Sequence, residues 1–502
     1  MPPYATYLFK HALVQDAAYG TLLREPRQKL HARIAETLES QFTEIAEAQP
    51  ELLARHCTEA GLIKQAAGLW GKAGQRSVER SALVEAVAQL TRALDQMATL
   101  PSTCALRREQ IKLQVALITP LIHVNGWGAP ETKAAVEQAR LLLEQAEALE
   151  EIPEDPLLLF SVLYGAWAAN AMVFNADVCV DLAAQFLLLA KKQRVSGPLM
   201  LGHSYLGTSL FLAGDTAEAR AHYDQTVALY DPVEHRSLAM RFGEDIKVAT
   251  LRWRSKALWV LGYPETALTD IDQALRDARE FGYAASLFWA LTGSFFIVDS
   301  YCGNYTAANA RIDECIALSD EKNAAYWKAL GMLGRGWLLS LTDRASDAVQ
   351  VITDGITAWR STGSTFLMPC WLSFLAEAHA ELGEVDEAWR RIDEALSAIE
   401  TTKERWFEAE ANRIAGEIAL KSPVPEAAKG EGYFGRALAV ARAQQAKSWE
   451  LRGAMSLARL WRDQGKRDEA RNLLAPVYGW FTEGFDTLDL KEAKALLEEL
   501  GA

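Results

Sequence analysis

The chain has 502 residues, half of them apolar, and its 52 Lys and Arg against 66 Asp and Glu give a net charge of −14. This composition is typical of a folded protein, and the acidic balance disfavours nonspecific binding to nucleic acid or to anionic membranes. The six cysteines form no Cys-x-x-Cys pair, so we expect free thiols and a cytoplasmic location, with no run of about 20 apolar residues to span a membrane.

Residues 1–48 differ in pattern from the rest of the chain. Tyr7 to Phe9 favours a short strand, His11 to Arg24 a helix, and Pro26 the start of a further helix that ends near Thr43. A strand without a neighbouring partner is typical of the trailing edge of a larger domain. The basic residues from Arg24 to Arg33 are expected on a solvated helix face, not in a nucleic-acid patch.

Residues 49–200 predict irregular helical hairpins. Gly61, Ala66 and Trp70 begin a small-residue pattern that recurs only twenty residues later, so one helix is expected to serve two hairpins. Residues 125–130 predict a turn and residues 152–156 a linker. Asn175 is expected at the next turn, with Val180 in the position that alanine takes in later hairpins.

Residues 201–502 carry a regular repeat of about 40 residues. A turn residue is followed five positions later by alanine in the pairs Gly214/Ala219, Gly262/Ala267, Gly303/Ala308, Asp343/Ala348, Gly383/Ala388, Pro423/Ala428 and Gly465/Ala470. Seven positions before each turn stands a residue that is small in six of the seven cases, Phe296 being the exception, and nine positions after it an apolar or aromatic one. In the sixth unit Gly432 holds that last position, and we expect a slip to Phe434.

Small residues let two antiparallel helices approach closely, and the large residue four positions after the alanine fills the space beside their crossing. The pattern therefore predicts an all-α fold: a right-handed α-α superhelix of tetratricopeptide-like hairpins about six residues longer than the usual 34. Gly484 and a helix from Asp489 to Leu500 are expected to cap its C-terminal end.

A polar insertion at residues 230–253 lengthens the first repeat. Insertions in such arrays fall on one face, often the binding face. Its candidate ligand-binding residues carry cationic, acidic and aromatic side chains: Tyr230, His235, Arg236, Arg241, Asp245, Arg252 and Trp253. Two interpretations remain open: the charges pair with each other and cap helices, or they line a pocket for an anionic or aromatic ligand.

Five segments, taken in order, resemble the C-terminal sensor region of bacterial proteins that join a class III adenylate or guanylate cyclase, an AAA-like signal-transduction ATPase and a tetratricopeptide-like array. They are YLFKHALVQDAAY at 7–19, PELLARHCTEAGL at 50–62, the stretch 230–239, LGYP at 261–264 and ERWFEAE at 404–410. The resemblance covers nearly the whole chain. It implies that residues 1–48 are the remnant of a winged-helix-like ATPase arm, with an ATPase or cyclase module encoded upstream.

No GxxxxGK[ST], GxSxG, HExxH or GxGxxG motif occurs, and no His and Cys have zinc-ligand spacing. We therefore expect no catalytic residue, metal or cofactor, and a binding role for a protein or small-molecule effector on the concave face, without nucleic acid or membrane. The alternatives are an enzyme, if cyclase or ATPase activity resides in this chain as in its full-length relatives, and a fragment of a transcriptional regulator.

Overall fold

The structure is a computed structural model that describes residues 19, 21, 23–126, 128–149, 155, 157–342 and 344–501. Within these residues the fold is all-α and contains no strand. The strand predicted at Tyr7 to Phe9 and most of the helix predicted from His11 lie outside the described residues, as do Trp127 and the linker except Asp155.

The first thirteen α-helices are α1 Arg24–Gln41, α2 Thr43–Ala48, α3 Pro50–Ala60, α4 Ile63–Glu79, α5 Leu83–Ala98, α6 Cys104–Asn125, α7 Pro130–Ala148, α8 Leu158–Ala171, α9 Ala176–Gln193, α10 Ser196–Ala213, α11 Thr216–Leu229, α12 Pro232–His235 and α13 Ala239–Phe242. They are followed by α14 Ile246–Val260, α15 Pro264–Phe281, α16 Ala284–Gly293, α17 Tyr305–Lys322, α18 Ala325–Ser340, α19 Ala345–Ser361, α20 Met368–Glu381, α21 Val385–Thr402, α22 Glu408–Lys421, α23 Ala427–Ala443, α24 Lys447–Asp463, α25 Arg467–Tyr478 and α26 Leu488–Gly501.

The chain forms two compact units, the first comprising residues 1–117 and 144–152, the second residues 118–143 and 153–502. In the first unit α4 packs against both α3 and α5, so one helix does serve two hairpins. Ala66, Ala86 and Leu90 are fully buried at these contacts. The division of the chain at residues 48 and 200 stays a prediction.

The second unit contains the hairpins that the 40-residue repeat predicts. Ala219, Ala267, Ala308, Ala348, Ala388 and Ala470 are fully buried where the two helices of each hairpin cross, as are the large residues four positions later. The small residues on the first helices are equally constrained. A Cβ atom added at Gly336 would lie 2.5 Å from the Ile352 side chain.

Two predicted registers are wrong. In the sixth unit the turn after Lys421 is longer than predicted, so Ala428 is exposed and Gly430 takes the small position, with Phe434 buried opposite Gly416. Near residue 175 the chain turns at Phe174, whose φ is +26°, and Cys179 is buried in the position predicted for Val180.

Phe296, the exception in the repeat, marks a break in a helix. After α16 the backbone leaves helical geometry at Phe296 (φ −85°, ψ 110°) and Ile297 (φ 82°, ψ −68°) before α17 begins. A β-branched residue at positive φ is strained by about 1–3 kcal/mol. The break turns the Phe296 ring to within 4.7 Å of the Trp371 ring, measured between centroids, so a residue too large for a helix crossing is accommodated among aromatic rings.

Aromatic side chains from the first helices of successive hairpins meet inside the second unit. Ring centroids lie 4.6 Å apart for Trp289 and Trp327 and 4.7 Å apart for Trp259 and Trp449. We call this region the aromatic interior; its buried tryptophans are Trp253, Trp259, Trp289, Trp327, Trp337, Trp371, Trp406 and Trp449. Residues that are nearly 200 positions apart in sequence therefore share one core.

Hydrogen bonds between turns that are distant in sequence lie beside the aromatic interior. The Met172 carbonyl accepts hydrogen bonds from the amides of Thr365 and Phe366, at 2.8 and 2.9 Å, and the Leu212 carbonyl accepts from the amides of Arg405 and Trp406. Further along the chain, Ser448 donates to the Trp259 carbonyl, and the Glu483 carboxylate accepts from the amide and hydroxyl of Thr266. We call this line of contacts the turn seam.

Candidate functional site

The insertion folds as two short helices, α12 and α13, joined by a single tight turn. Asp245 begins α14 as its N-cap, accepting hydrogen bonds from the amides of Lys247 and Val248 at 3.0 and 3.1 Å. Tyr230 donates to the same carboxylate at 2.5 Å. Burial and this carboxylate raise the pKa of Tyr230, so the hydroxyl stays protonated and the pair fixes the entry to α14.

Three further candidate residues of the insertion, His235, Arg236 and Arg241, also have partners. The ring of His235 is buried and its Nδ1 accepts from the Asp231 amide at 3.0 Å. Arg236 lies 3.3 Å from the Glu280 carboxylate, and its Nε has no hydrogen-bond partner among the described residues. Arg241 binds the carboxylate of Asp155 at 2.5 Å and the hydroxyl of Ser161 at 2.7 Å.

Arg252 and Trp253 lie apart from these surface pairs, on the face of α14 that enters the aromatic interior. Arg252 is only 4% exposed, and its guanidinium carbon lies 4.1 Å from the ring centroids of both Trp253 and Trp289. Its Nε and Nη1 find no hydrogen-bond acceptor anywhere in the described part of the chain. Burial lowers the pKa of Arg252 to about 10, so the group remains charged at neutral pH.

A second cation, Lys256, lies one turn further along α14. It is 2% exposed, its Nζ is 5.2 Å from the Trp253 ring centroid, and it donates a long hydrogen bond of 3.4 Å to the Gly293 carbonyl. Burial and the neighbouring Arg252 charge both lower the pKa of Lys256 well below its ordinary value. Gly293 is required here, since a Cβ atom would lie 2.1 Å from Cγ of Arg252.

Glu244, just before the N-cap of α14, is the acidic group that acts on Arg252. It is 8% exposed, and burial raises its pKa to about 8 although the Arg252 charge opposes the shift. Burial therefore favours the uncharged form of Glu244. The positive charge of Arg252 is left largely without a counter-charge.

Two small cavities flank this cluster. One, of about 20 Å³, is lined by Arg252, Lys256 and Trp371 among others, and the second, of about 30 Å³, by Glu244 and Tyr205. Trp253, Trp289 and Phe366 line both. Each is large enough for about one water molecule, so a ligand body must displace side chains to enter. We call Arg252, Trp253, Lys256, Trp289 and Glu244, with these cavities, the interior cation site.

Sequence reasoning singled out Arg252 and Trp253 and missed Glu244, Lys256 and Trp289. Lys256 stands six positions before the turn residue Gly262, and the other units carry no lysine at that position. The sequence alone shows this difference. Trp289 comes from the next hairpin, and no local pattern shows that its ring covers Arg252.

Several other features of the described residues bear on function. No helix among them is long and apolar enough to cross a membrane. No group of three or more His, Cys, Asp or Glu there is placed to hold a metal ion. Five of the six free cysteines are buried and Cys104 is exposed.

No protein-family model matches the chain. It is 24% identical, over 421 residues, to an uncharacterized protein of Rhizobium meliloti strain 1021; the match takes in 82% of this chain and 39% of that protein. The chain thus spans about two fifths of the length of this curated relative.

Three solved structures resemble the chain at low sequence identity. A Rap protein complexed with competence and sporulation factor has a TM-score of 0.49 at 13% identity, covering 78% of this chain and 99% of that one. The Cut9–Hcn1 hetero-tetramer of the APC/C has a score of 0.48 at 13% identity, covering 98% and 99%. A signal-transduction ATPase with a tetratricopeptide repeat sensor from Pyrococcus horikoshii has a score of 0.34 at 11% identity, covering 82% and 69%. At these scores the likeness says nothing about ligand or partner.

Proposed function

We propose that this chain is a non-catalytic helical-repeat module that binds a protein or small-molecule effector as the sensor or regulatory arm of a signalling protein. The observation that carries the proposal is Arg252, a buried cation held between two tryptophans with two unpaired nitrogens. Leaving a buried charge unpaired is costly, and functional sites are where proteins retain such groups. A ligand that supplies the missing partner would recover that free energy on binding.

The proposed binding region is the interior cation site. Within it Arg252 and Trp253 are the primary contacts, because the charges of Arg236 and Arg241 already have carboxylate partners. Tyr230 and Asp245 hold the start of α14, on which Arg252 is placed, and His235 is bonded within the insertion to the Asp231 amide. We therefore propose the ligand-binding role for Arg252 and Trp253 and the structural role for the other candidate residues of the insertion.

The sensor role rests on the resemblance to cyclase and ATPase fusion proteins and on the turn seam. A ligand can shift an equilibrium between two conformations only if it binds one of them more tightly. Phe366 lines both cavities of the interior cation site and its amide belongs to the turn seam, so a ligand that displaces Phe366 would disturb that seam. An ATPase or cyclase module elsewhere in the same protein would respond to that change.

A thermal-shift screen of a metabolite library against the 502-residue chain tests the binding role. We expect at least one compound that raises the melting temperature of the parent chain and of the Arg236→Ala/Arg241→Ala double variant, but not of Arg252→Met. A compound whose effect is lost in the double variant and kept in Arg252→Met would place the site on the insertion surface. If every stabilising compound acts equally on all three proteins, the proposed site is wrong.

A further inference from the structure

We infer that Arg252 binds the carboxylate of a small organic acid, much as Arg413 is bound by carboxylates within the chain itself. The inference rests on the proposed function and names the ligand class of the same site. It is carried by a comparison between two arginines that occupy one position of the repeat.

Arg252 stands ten residues before the turn residue Gly262, and Arg413 ten residues before Pro423, each on the first helix of its hairpin. Both are buried, with 4% and 7% of their surface exposed. The repeat therefore places the two arginines at equivalent positions of their hairpins. Their hydrogen-bond partners differ completely.

Arg413 is saturated with carboxylates. Its Nε and Nη2 each donate to Glu410 at 2.9 Å in a two-point contact, Nη2 also donates to Glu377 at 3.1 Å, and Nη1 donates to Glu417 at 3.3 Å. Such bidentate pairing matches the planar fork of the guanidinium group to the two oxygens of a carboxylate. In this hairpin, carboxylates therefore supply the hydrogen-bond acceptors for a buried arginine at this position.

Arg252 has none of these partners. The positions equivalent to Glu410 and Glu417 are Ala249 and Lys256, so a small side chain and a lysine replace two acids. Tryptophan faces cover the guanidinium plane and supply no acceptor in that plane, where Nε and Nη1 lack partners among the residues described. Glu244 makes no hydrogen bond to Arg252 within the described structure, and burial raises its pKa and so favours its uncharged form. The site therefore lacks an anion with two oxygen atoms that could accept hydrogen bonds from Nε and Nη1 of Arg252.

A carboxylate meets the requirement with the fewest atoms. The cavity of about 20 Å³ beside Arg252 and Lys256 holds about one water molecule, so one carboxylate oxygen fits there and the rest of the acid must displace side chains. The carbon body of the acid would take the place of Phe366, which lines both cavities, and would lie against Trp253 and Trp289. These walls favour a flat apolar or aromatic body.

Calorimetric titration of the 502-residue chain with benzoate tests the inference, with benzamide as the neutral isostere and phenyl phosphate as a larger anion. Nine non-hydrogen atoms in a complementary site can reach a Kd of about 1 mM, so titration to about 10 mM is decisive. We expect benzoate to bind more than about tenfold more tightly than benzamide, because only benzoate neutralises the buried cation.

Two variants and a matched control identify the contact. Arg252→Met should weaken benzoate binding by more than about tenfold and remove its advantage over benzamide. Lys256→Met keeps the Arg252 side chain in place and should weaken benzoate binding as well. Arg236→Met makes the same change of residue type on the insertion surface and should leave the Kd within about twofold, since rim charges contribute little.

The inference is overturned if benzamide binds as tightly as benzoate, if phenyl phosphate binds more tightly, if both interior variants bind benzoate like the parent chain, or if benzoate does not bind by about 10 mM. These failures differ from failure of the proposed function. A neutral or phosphorylated compound from the metabolite screen that loses its effect in Arg252→Met would sink the carboxylate assignment and leave the binding role in place.

Discussion

The packing of the repeat predicts that replacing glycine by alanine lowers the stability of the protein at one helical position and raises it at another. Replacing glycine by alanine inside a helix ordinarily stabilises a protein by about 1 kcal/mol, because alanine loses less backbone entropy. Gly336 on α18 and Gly453 on α24 are both buried helical glycines in the second unit. Propensity alone predicts the same gain at each.

The surroundings of the new methyl group differ between the two positions. At Gly336 a Cβ atom would lie 2.5 Å from Cγ1 and 2.9 Å from the backbone nitrogen of Ile352, so α18 and α19 must separate. Overpacking of this kind costs up to about 3 kcal/mol, which leaves a net loss of about 2 kcal/mol. At Gly453 the nearest atom would be Cδ2 of Leu438 at 3.4 Å, an ordinary contact, so a gain of about 0.5–1 kcal/mol remains.

Urea unfolding followed by far-ultraviolet circular dichroism measures both changes as shifts of the midpoint at constant slope. Gly435→Ala is the calibrating control, because this exposed helical position has no atom within 4 Å of the added methyl group. We expect Gly336→Ala to lower the midpoint and the other two variants to raise it. Shifts of the same sign at Gly336 and Gly453 would refute the close approach of α18 and α19.

Three further predictions concern the interior acid, the corrected register and nucleotide binding. Burial raises the pKa of Glu244 from about 4.5 in the unfolded chain to about 8 in the fold, so its contribution to stability is lost as the pH rises across that interval. The urea midpoint of Glu244→Gln, measured at pH 5, 7 and 9, should therefore vary less with pH than that of the parent chain. An unchanged pH profile would contradict the burial of Glu244. Gly430→Leu should lower the melting temperature by several degrees and Ala428→Leu should not, because only the former is buried; the reverse order would restore the register predicted from sequence. Calorimetry with ATP and Mg²⁺ should give no heat of binding, and micromolar affinity would overturn the non-catalytic assignment, since the sequence holds no phosphate-binding loop.

The sequence predicted the hairpins because their signals are local. Ala308 and Ala348 follow their turns at a fixed spacing set by helix geometry, and both are buried where expected. The register failed near Ala428 because the turn Ser422–Glu426 is longer than its neighbours, and a Gly-free turn gives no signal of its length.

The interior cation site was only partly predictable for a different reason. Arg252 stood out as a basic residue beside the insertion, but whether a buried cation is paired depends on which residues distant hairpins bring to it. Arg413 occupies the same position of the repeat and is neutralised by Glu410 of its own helix, where the helix of Arg252 carries Ala249, so the local sequence shows part of the difference. That Trp289 covers Arg252, and that no distant hairpin among the described residues brings an acceptor to its Nε and Nη1, is seen only once the neighbouring helices are placed.

The turn seam gives this repeat array a cooperativity that an ordinary solenoid lacks. Where each hairpin touches only its neighbours, stability is a sum of nearest-neighbour terms and the ends can fray independently. Here the carbonyls of Met172 and Trp259 are held by residues nearly two hundred positions away, so early hairpins are completed by late ones. Removing the last hairpins would therefore uncover Trp259 and Tyr301, which pack against Trp449, and the second unit should unfold in one step.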